Sequence, residues 1–91
     1  SDGSAGGVEP GSMTFPVCRD LVDDYILVSE EEIKSAMRLM VETHHKIIEG
    51  AAAVSLAAFL RNRDRFRGRT VVIIICGANI ATRKLLNVLK E

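Results

Sequence analysis

Val71-Val72-Ile73-Ile74-Ile75-Cys76-Gly77-Ala78-Asn79 is the stretch whose reading decides the fold. Consecutive β-branched apolar residues run without a polar break, then give way to a thiol, a glycine and an asparagine. A run without alternation reads as a strand covered on both faces. Its C-terminal end delivers a short polar turn. In open α/β sheets ligands gather at that edge, where strands end and helices begin. Cys76 is therefore the first candidate functional residue, a thiol presented at a ligand edge.

Working outward, residues 80–90 place Leu85, Leu86 and Leu89 on one side and Arg83, Lys84 and Lys90 on the other, which predicts a closing helix. On the upstream side, arginine recurs at 61, 63, 65, 67 and 69. Alternating arginines suggest a nucleic-acid patch. The balance of 12 basic against 12 acidic residues and a single neighbouring aromatic, Phe66, favour a solvated loop with a short turn. Residues 51–60 are apolar on almost every side and begin with three alanines, a pattern for a buried helix that admits close approach. Glu49 stands at its start. A carboxylate there can cap the helix, where the dipole favours it, or it can contact a ligand.

Ser29-Glu30-Glu31-Glu32 is a capping box, with the Ser29 hydroxyl accepting from the Glu32 amide and the Glu32 carboxylate accepting from the Ser29 amide. The helix it opens carries Ile33, Ala36, Met37, Met40, Val41 and His44 on one stripe. His44-His45 ends it; adjacent histidines diverge on a helix, so they make a poor metal pair and a good helix terminus. Tyr25-Ile26-Leu27-Val28 reads as a second strand, and 14–22 as a short helix with Pro16 in its first turn and Cys18 as a buried structural thiol. Residues 1–12 carry four glycines and one proline and read as a loop. That loop is either a flexible tail or a backbone that approaches a ligand closely.

The chain of 91 residues, 47% hydrophobic and 26% charged, is sized for one small globular unit, a single segment over 1–91. Net charge gives no argument for nucleic acid, and no apolar run reaches the ~20 residues that span a bilayer. Two cysteines are too few for a disulfide framework, which sets a reducing, cytoplasmic location as the default. The order helix, strand, two helices, strand, helix predicts an α/β fold with parallel strands and helical crossovers. A chain this short buries only about 60–65% of its unfolded surface. Its all-round apolar strand and helix therefore suit a part of a larger domain, or a protomer covered by a partner.

Six segments together resemble one family. They are Ser1-Asp2-Gly3, Thr14-Phe15-Pro16, residues 20–24 (Asp-Leu-Val-Asp-Asp), residues 28–33 (Val-Ser-Glu-Glu-Glu-Ile), Glu49-Gly50-Ala51-Ala52-Ala53, and residues 76–80 (Cys-Gly-Ala-Asn-Ile). In this order and spacing they resemble the C-terminal third of fold-type II pyridoxal-phosphate enzymes, of the serine/threonine dehydratase and serine racemase group. Residues 6–11, Gly-Gly-Val-Glu-Pro-Gly, look most like the branch associated with hydroxyectoine utilisation. The resemblance implies a fragment of a tryptophan-synthase-beta-like fold. It implies pyridoxal 5'-phosphate as cofactor, with Cys76 at the pyridine nitrogen, Gly77 in the same turn, Glu49 near the ring and Gly3 along the cofactor. A thiol is a weak donor that leaves that nitrogen largely unprotonated, which suits β-elimination of a hydroxyl. The implied activity is a threonine or serine ammonia-lyase that converts a hydroxy amino acid to a 2-oxo acid. Its implied partners are that substrate, the remainder of the same enzyme and, at full length, a second copy; nucleic acid and membrane are not expected. The family's Schiff-base lysine motif and phosphate-binding glycine run have no match here, so no catalytic residue and no metal ligand is assigned, and the chain alone is expected to be inactive. The alternative is a free-standing, non-catalytic α/β binding or interaction module derived from that fold.

Overall fold

The computed structural model describes residues 1, 4 and 6–90. Among them are four α-helices, α1 (Thr14–Leu21), α2 (Glu30–His44), α3 (Gly50–Arg61) and α4 (Thr82–Leu89), with a 3-10 turn at Arg63–Phe66. The loop expected over 1–12 lies partly outside the described residues; within 6–12 there is no helix or strand, Gly11 has φ 77° and the Ser12 amide donates to Glu9 O at 3.1 Å.

The centre of the fold is the seam between α2 and α3. α2 starts where the sequence places it. The Ser29 amide donates to Glu32 Oε1 at 2.9 Å and the Glu32 amide donates to Ser29 Oγ at 3.1 Å, so both halves of the capping box form. The helix ends at His44, and His45 closes it in the left-handed region at φ 55°, its amide donating to Val41 O at 3.2 Å. The terminus thus falls at the histidine pair, through backbone geometry at the second one. Between the two ends, Ile33, Ala36 and Met37 are buried, with Met40 packed beside them. They meet Ala52, Ala53 and Ala57 of α3, all at most 2% exposed. Methyl-sized side chains on facing helices let the axes come close, and Ile48 and Val88 fill the ends of the seam. Val88 brings α4 onto α2, where Arg38 Nη1 donates to the Val88 carbonyl at 3.0 Å. The expected leucine side of this helix is corrected in part: Leu86 and Leu89 are exposed and Val88 is the buried residue.

The parallel-strand α/β architecture expected from the sequence is not found. Among the described residues there is no strand; 25–28 and 71–76 carry no regular structure. A strand exists only through a neighbour that accepts and donates its backbone hydrogen bonds. These two segments do not pair with each other. One carbonyl in each is held instead by a side chain of α3: Arg61 Nη1 donates to Leu27 O, at 2.6 Å, and Ser55 Oγ donates to Ile74 O, at 2.8 Å. Burial is corrected as well. Val72 is 83% exposed and Ile74 71%, where cover on both faces was expected. Cys18, expected in a buried setting, is also exposed, as α1 has no buried residue. The Cys18 carbonyl accepts from the Val22 amide and from Tyr25 Oη, each at 3.0 Å.

The exposed area puts a magnitude on this openness. The accessible surface is 7162 Å², whereas a folded chain of 9.9 kDa is expected to expose about 5,200 Å². The radius of gyration of 14.4 Å likewise exceeds the ~12 Å expected for this length. Large apolar side chains are among those exposed, including Met13, Leu21, Tyr25, Leu27, Val72 and Ile74.

Two outcomes are expected from the helical seam. Ala53 is 0% exposed, so Ala53→Leu should force α2 and α3 apart and destabilise by about 1–3 kcal/mol, read from urea unfolding. The Ser29 amide, donating to Glu32, holds that carboxyl below its ordinary value of 4.5 despite some desolvation, helped by the Ser29 hydroxyl and by Arg61. A depressed folded value means the stabilisation is full above pH 4.5 and disappears as pH falls through the folded value. Glu32→Gln, which keeps an acceptor for the Ser29 amide but cannot titrate, should make the acid loss of helical ellipticity shallower; an unchanged acid limb would assign it elsewhere.

Candidate functional site

Glu49 is the residue immediately before α3, in extended backbone at φ −82° and ψ 165°. Its carbonyl accepts from the amides of Ala52 and Ala53, at 3.1 and 3.0 Å, as an N-cap carbonyl does. Its carboxylate makes no capping bond. Instead it lies over Gly77. A Cβ built on Gly77 would overlap Glu49 Oε1 and stand 2.7 Å from Cδ. Gly77 also has φ 132°, a backbone that side-chain-bearing residues rarely adopt. The two residues are joined a second time, by the Glu49 amide donating to the Gly77 carbonyl at 3.2 Å. Glycine at 77 thus provides both the hollow that the carboxylate fills and the bend that aims its carbonyl at α3.

Cys76 precedes this contact directly. Its thiol is exposed and lines an apolar groove bounded by 22–26, by α3 through Ala51, Ser55 and Phe59, and by the 71–74 run. Asp24 stands on the same groove. Its carboxyl is held below the usual range by Arg65, which donates to it at 3.0 Å, and by the Tyr25 amide. Glu49 lines a different cleft, of about 290 Å³, between the starts of α2, α3 and α4, together with Glu30, Lys34, Asn79, Lys84 and Asn87. The structure therefore brings Glu49 and Gly77 into contact and leaves Cys76 on the far side of the glycine. Gly3 lies outside the described residues. Among the described residues no group of three or more His, Cys, Asp or Glu gathers that could hold a metal ion.

Sequence reasoning did not single out Ser55. Its hydroxyl stands 2.8 Å from Ile74 O and 3.1 Å from Ala52 O. The available signal was its polarity: it is the only hydroxyl in the apolar run 51–60. The arginine run resolves into separate local tasks. Arg61 reaches Leu27 O and Glu32, Arg65 pairs with Asp24 and lies over Phe66, and Arg67 pairs with Asp64.

Comparison with known proteins adds to this geometry. Residues 1–77 match the family described as "Pyridoxal-phosphate dependent enzyme". The chain is 42% identical over 77 residues to L-threonine ammonia-lyase of Geobacter sulfurreducens, covering 85% of this chain and 19% of that protein. It is 41% identical over 73 residues to the catabolic L-threonine dehydratase TdcB of Escherichia coli, covering 78% and 22%. It is 34% identical over 80 residues to L-threo-3-hydroxyaspartate ammonia-lyase of a Pseudomonas species, covering 88% and 25%. The chain thus spans between 19% and 25% of the length of these relatives.

The contact between Glu49 and Gly77 predicts strong coupling. Gly77→Ala should destabilise by about 1–3 kcal/mol, from backbone strain and displacement of the carboxylate. Glu49→Ala should relieve the second part only. A double-mutant cycle in urea should therefore return a coupling energy of about 0.5–3 kcal/mol. Additive effects would show that the carboxylate does not occupy the hollow.

Proposed function

The chain belongs to the pyridoxal-phosphate-dependent enzyme family, and from that premise we propose that it is the C-terminal portion of a dehydratase that deaminates a hydroxy amino acid to a 2-oxo acid. The observation that carries the reading is the arrangement at the end of the family match: an exposed Cys76 thiol, then Gly77, with the Glu49 carboxylate lodged against the glycine. The names of the relatives point to L-threonine, and one of them to L-threo-3-hydroxyaspartate, so the substrate class is an amino acid with a β-hydroxyl. L-Serine falls within it.

The residues present suit the cofactor at one edge. Cys76 would hold the ring nitrogen from its groove, with Gly77 in the turn beside it and Glu49 beyond the glycine, its carboxylate filling the hollow there. Bound pyridoxal phosphate supplies the electron sink that lets the substrate's α-proton be removed and the β-hydroxyl leave. Cys76 would offer the ring nitrogen a weak S–H donor in place of a carboxylate's negative charge, which would leave that nitrogen largely unprotonated and suit elimination. The groove lined by Cys76 contains no lysine. The proton-transferring amine is assigned to the remainder of the enzyme, the first proposed partner, since the family's lysine motif has no match in these residues. The substrate and, at full length, a second copy are the others. The surplus of exposed apolar surface supports such cover. Two unpaired cysteines fit a cytoplasmic location, and no helix among the described residues is long and apolar enough to cross a membrane.

A free-standing interaction module would need the 91 residues to unfold cooperatively by themselves, and the open surface runs against it. The decisive experiment uses the full-length polypeptide with pyridoxal phosphate. Absorbance should rise near the visible edge, and L-threonine or L-serine should yield a 2-oxo acid and ammonia. Cys76→Ser should retain turnover, and Cys76→Asp, which brings a carboxylate to the same position, should lower kcat with the cofactor still bound. Absence of the cofactor band in the unaltered enzyme sinks the proposal.

A further inference from the structure

We propose that Ser55 is the positioning residue for Cys76, acting through the carbonyl of Ile74. This inference rests on the reading of Cys76 as a cofactor contact. The segment that carries the thiol is fastened to α3 at two points, one on each side of it. Ahead of Cys76, Ser55 Oγ donates to Ile74 O at 2.8 Å. Behind it, the Glu49 amide donates to Gly77 O at 3.2 Å.

The two fastenings have comparable spacing on the helix and on the segment. Six residues of helix from Glu49 to Ser55 rise about 9 Å. Three residues from Ile74 to Gly77 reach at most about 10–11 Å. The segment therefore runs back along the first turns of α3. The side chain of Cys76 emerges between the fastenings, on the groove that also includes Ala51 and Ser55. Nothing else secures this stretch by regular structure, because 71–76 has no strand partner among the described residues. A serine hydroxyl has one hydrogen and two carbonyls in reach, Ile74 O at 2.8 Å and Ala52 O at 3.1 Å. The shorter contact is the one between elements. In a helix interior serine has no propensity advantage over alanine, so the hydroxyl's contribution here is the link to the cysteine segment.

The test uses the full-length polypeptide in a Cys18→Ser background, since the Cys18 thiol is also exposed. Ser55→Ala and Ser55→Thr are compared with the parent by three readouts: helical ellipticity, the rate of Cys76 alkylation by iodoacetamide without cofactor, and the affinity and absorption band of bound pyridoxal phosphate. Loss of one neutral hydrogen bond, about fivefold in an equilibrium, sets the scale. Ser55→Ala should keep its ellipticity, change the Cys76 alkylation rate, weaken cofactor binding about fivefold and shift the band. Ser55→Thr, which retains the hydroxyl, should restore all three. Parental alkylation and spectrum in Ser55→Ala overturn the proposal, as do equal changes in Ser55→Ala and Ser55→Thr. If the parent takes up no pyridoxal phosphate, the functional reading falls by itself, and the alkylation rates alone decide the case of Ser55.

Discussion

Everything in this fold hangs on the close approach of α2 and α3. Ala36 on one helix and Ala52, Ala53 and Ala57 on the other give a seam without bulk, and Ile33, Met37 and Ile48 fill what remains. An alanine seam gains little from transfer of side chains out of water, since each methyl is small. Its strength comes from dense contact between backbones, and that density tolerates no added volume. Once α3 is fixed on α2, it fixes the rest. Its N-terminal neighbour Glu49 meets Gly77, Ser55 meets Ile74, and Arg61 meets Leu27.

This explains how a short helix can organise a site without a sheet beside it. Polar side chains of α3 take the carbonyls that a neighbouring strand would take, at one point per segment rather than at every second residue. The fixings are sparse, but they fall close to the residues with chemical interest. Gly77 adds a steric fixing to these polar ones. The carboxylate in its hollow has its position set by shape.

Legibility in the sequence followed the range of the interactions. The capping box at Ser29–Glu32 involves four residues and was readable in full, and so was the helix end at the histidines. The buried stripe Ile33, Ala36, Met37 follows from helical period alone. Glu49 was readable as a helix start, while the contact of its carboxylate with Gly77 joins residues 28 apart and leaves no local trace. The strands were misread for a related reason. Apolar β-branched runs state that a segment is suited to a sheet, but the partner that makes it a strand is not in the run. The same holds for Cys18: an amphipathic pattern marks which side of α1 could be covered, not whether anything covers it.

The stretch from Thr70 to Thr82 contains no charged residue and no proline. Within it, 71–75 is uninterrupted valine and isoleucine, exposed at Val72 and Ile74, with no ladder to occupy its amides. Short, uncharged, β-branched segments of this kind are the ones that template cross-β assembly when left open. The nearest charges, Arg69 and Arg83, stand as the only gatekeepers on either side. The same run that leads to the cysteine is thus the chain's main aggregation hazard during synthesis, and the speed with which it is covered governs how much polypeptide escapes precipitation.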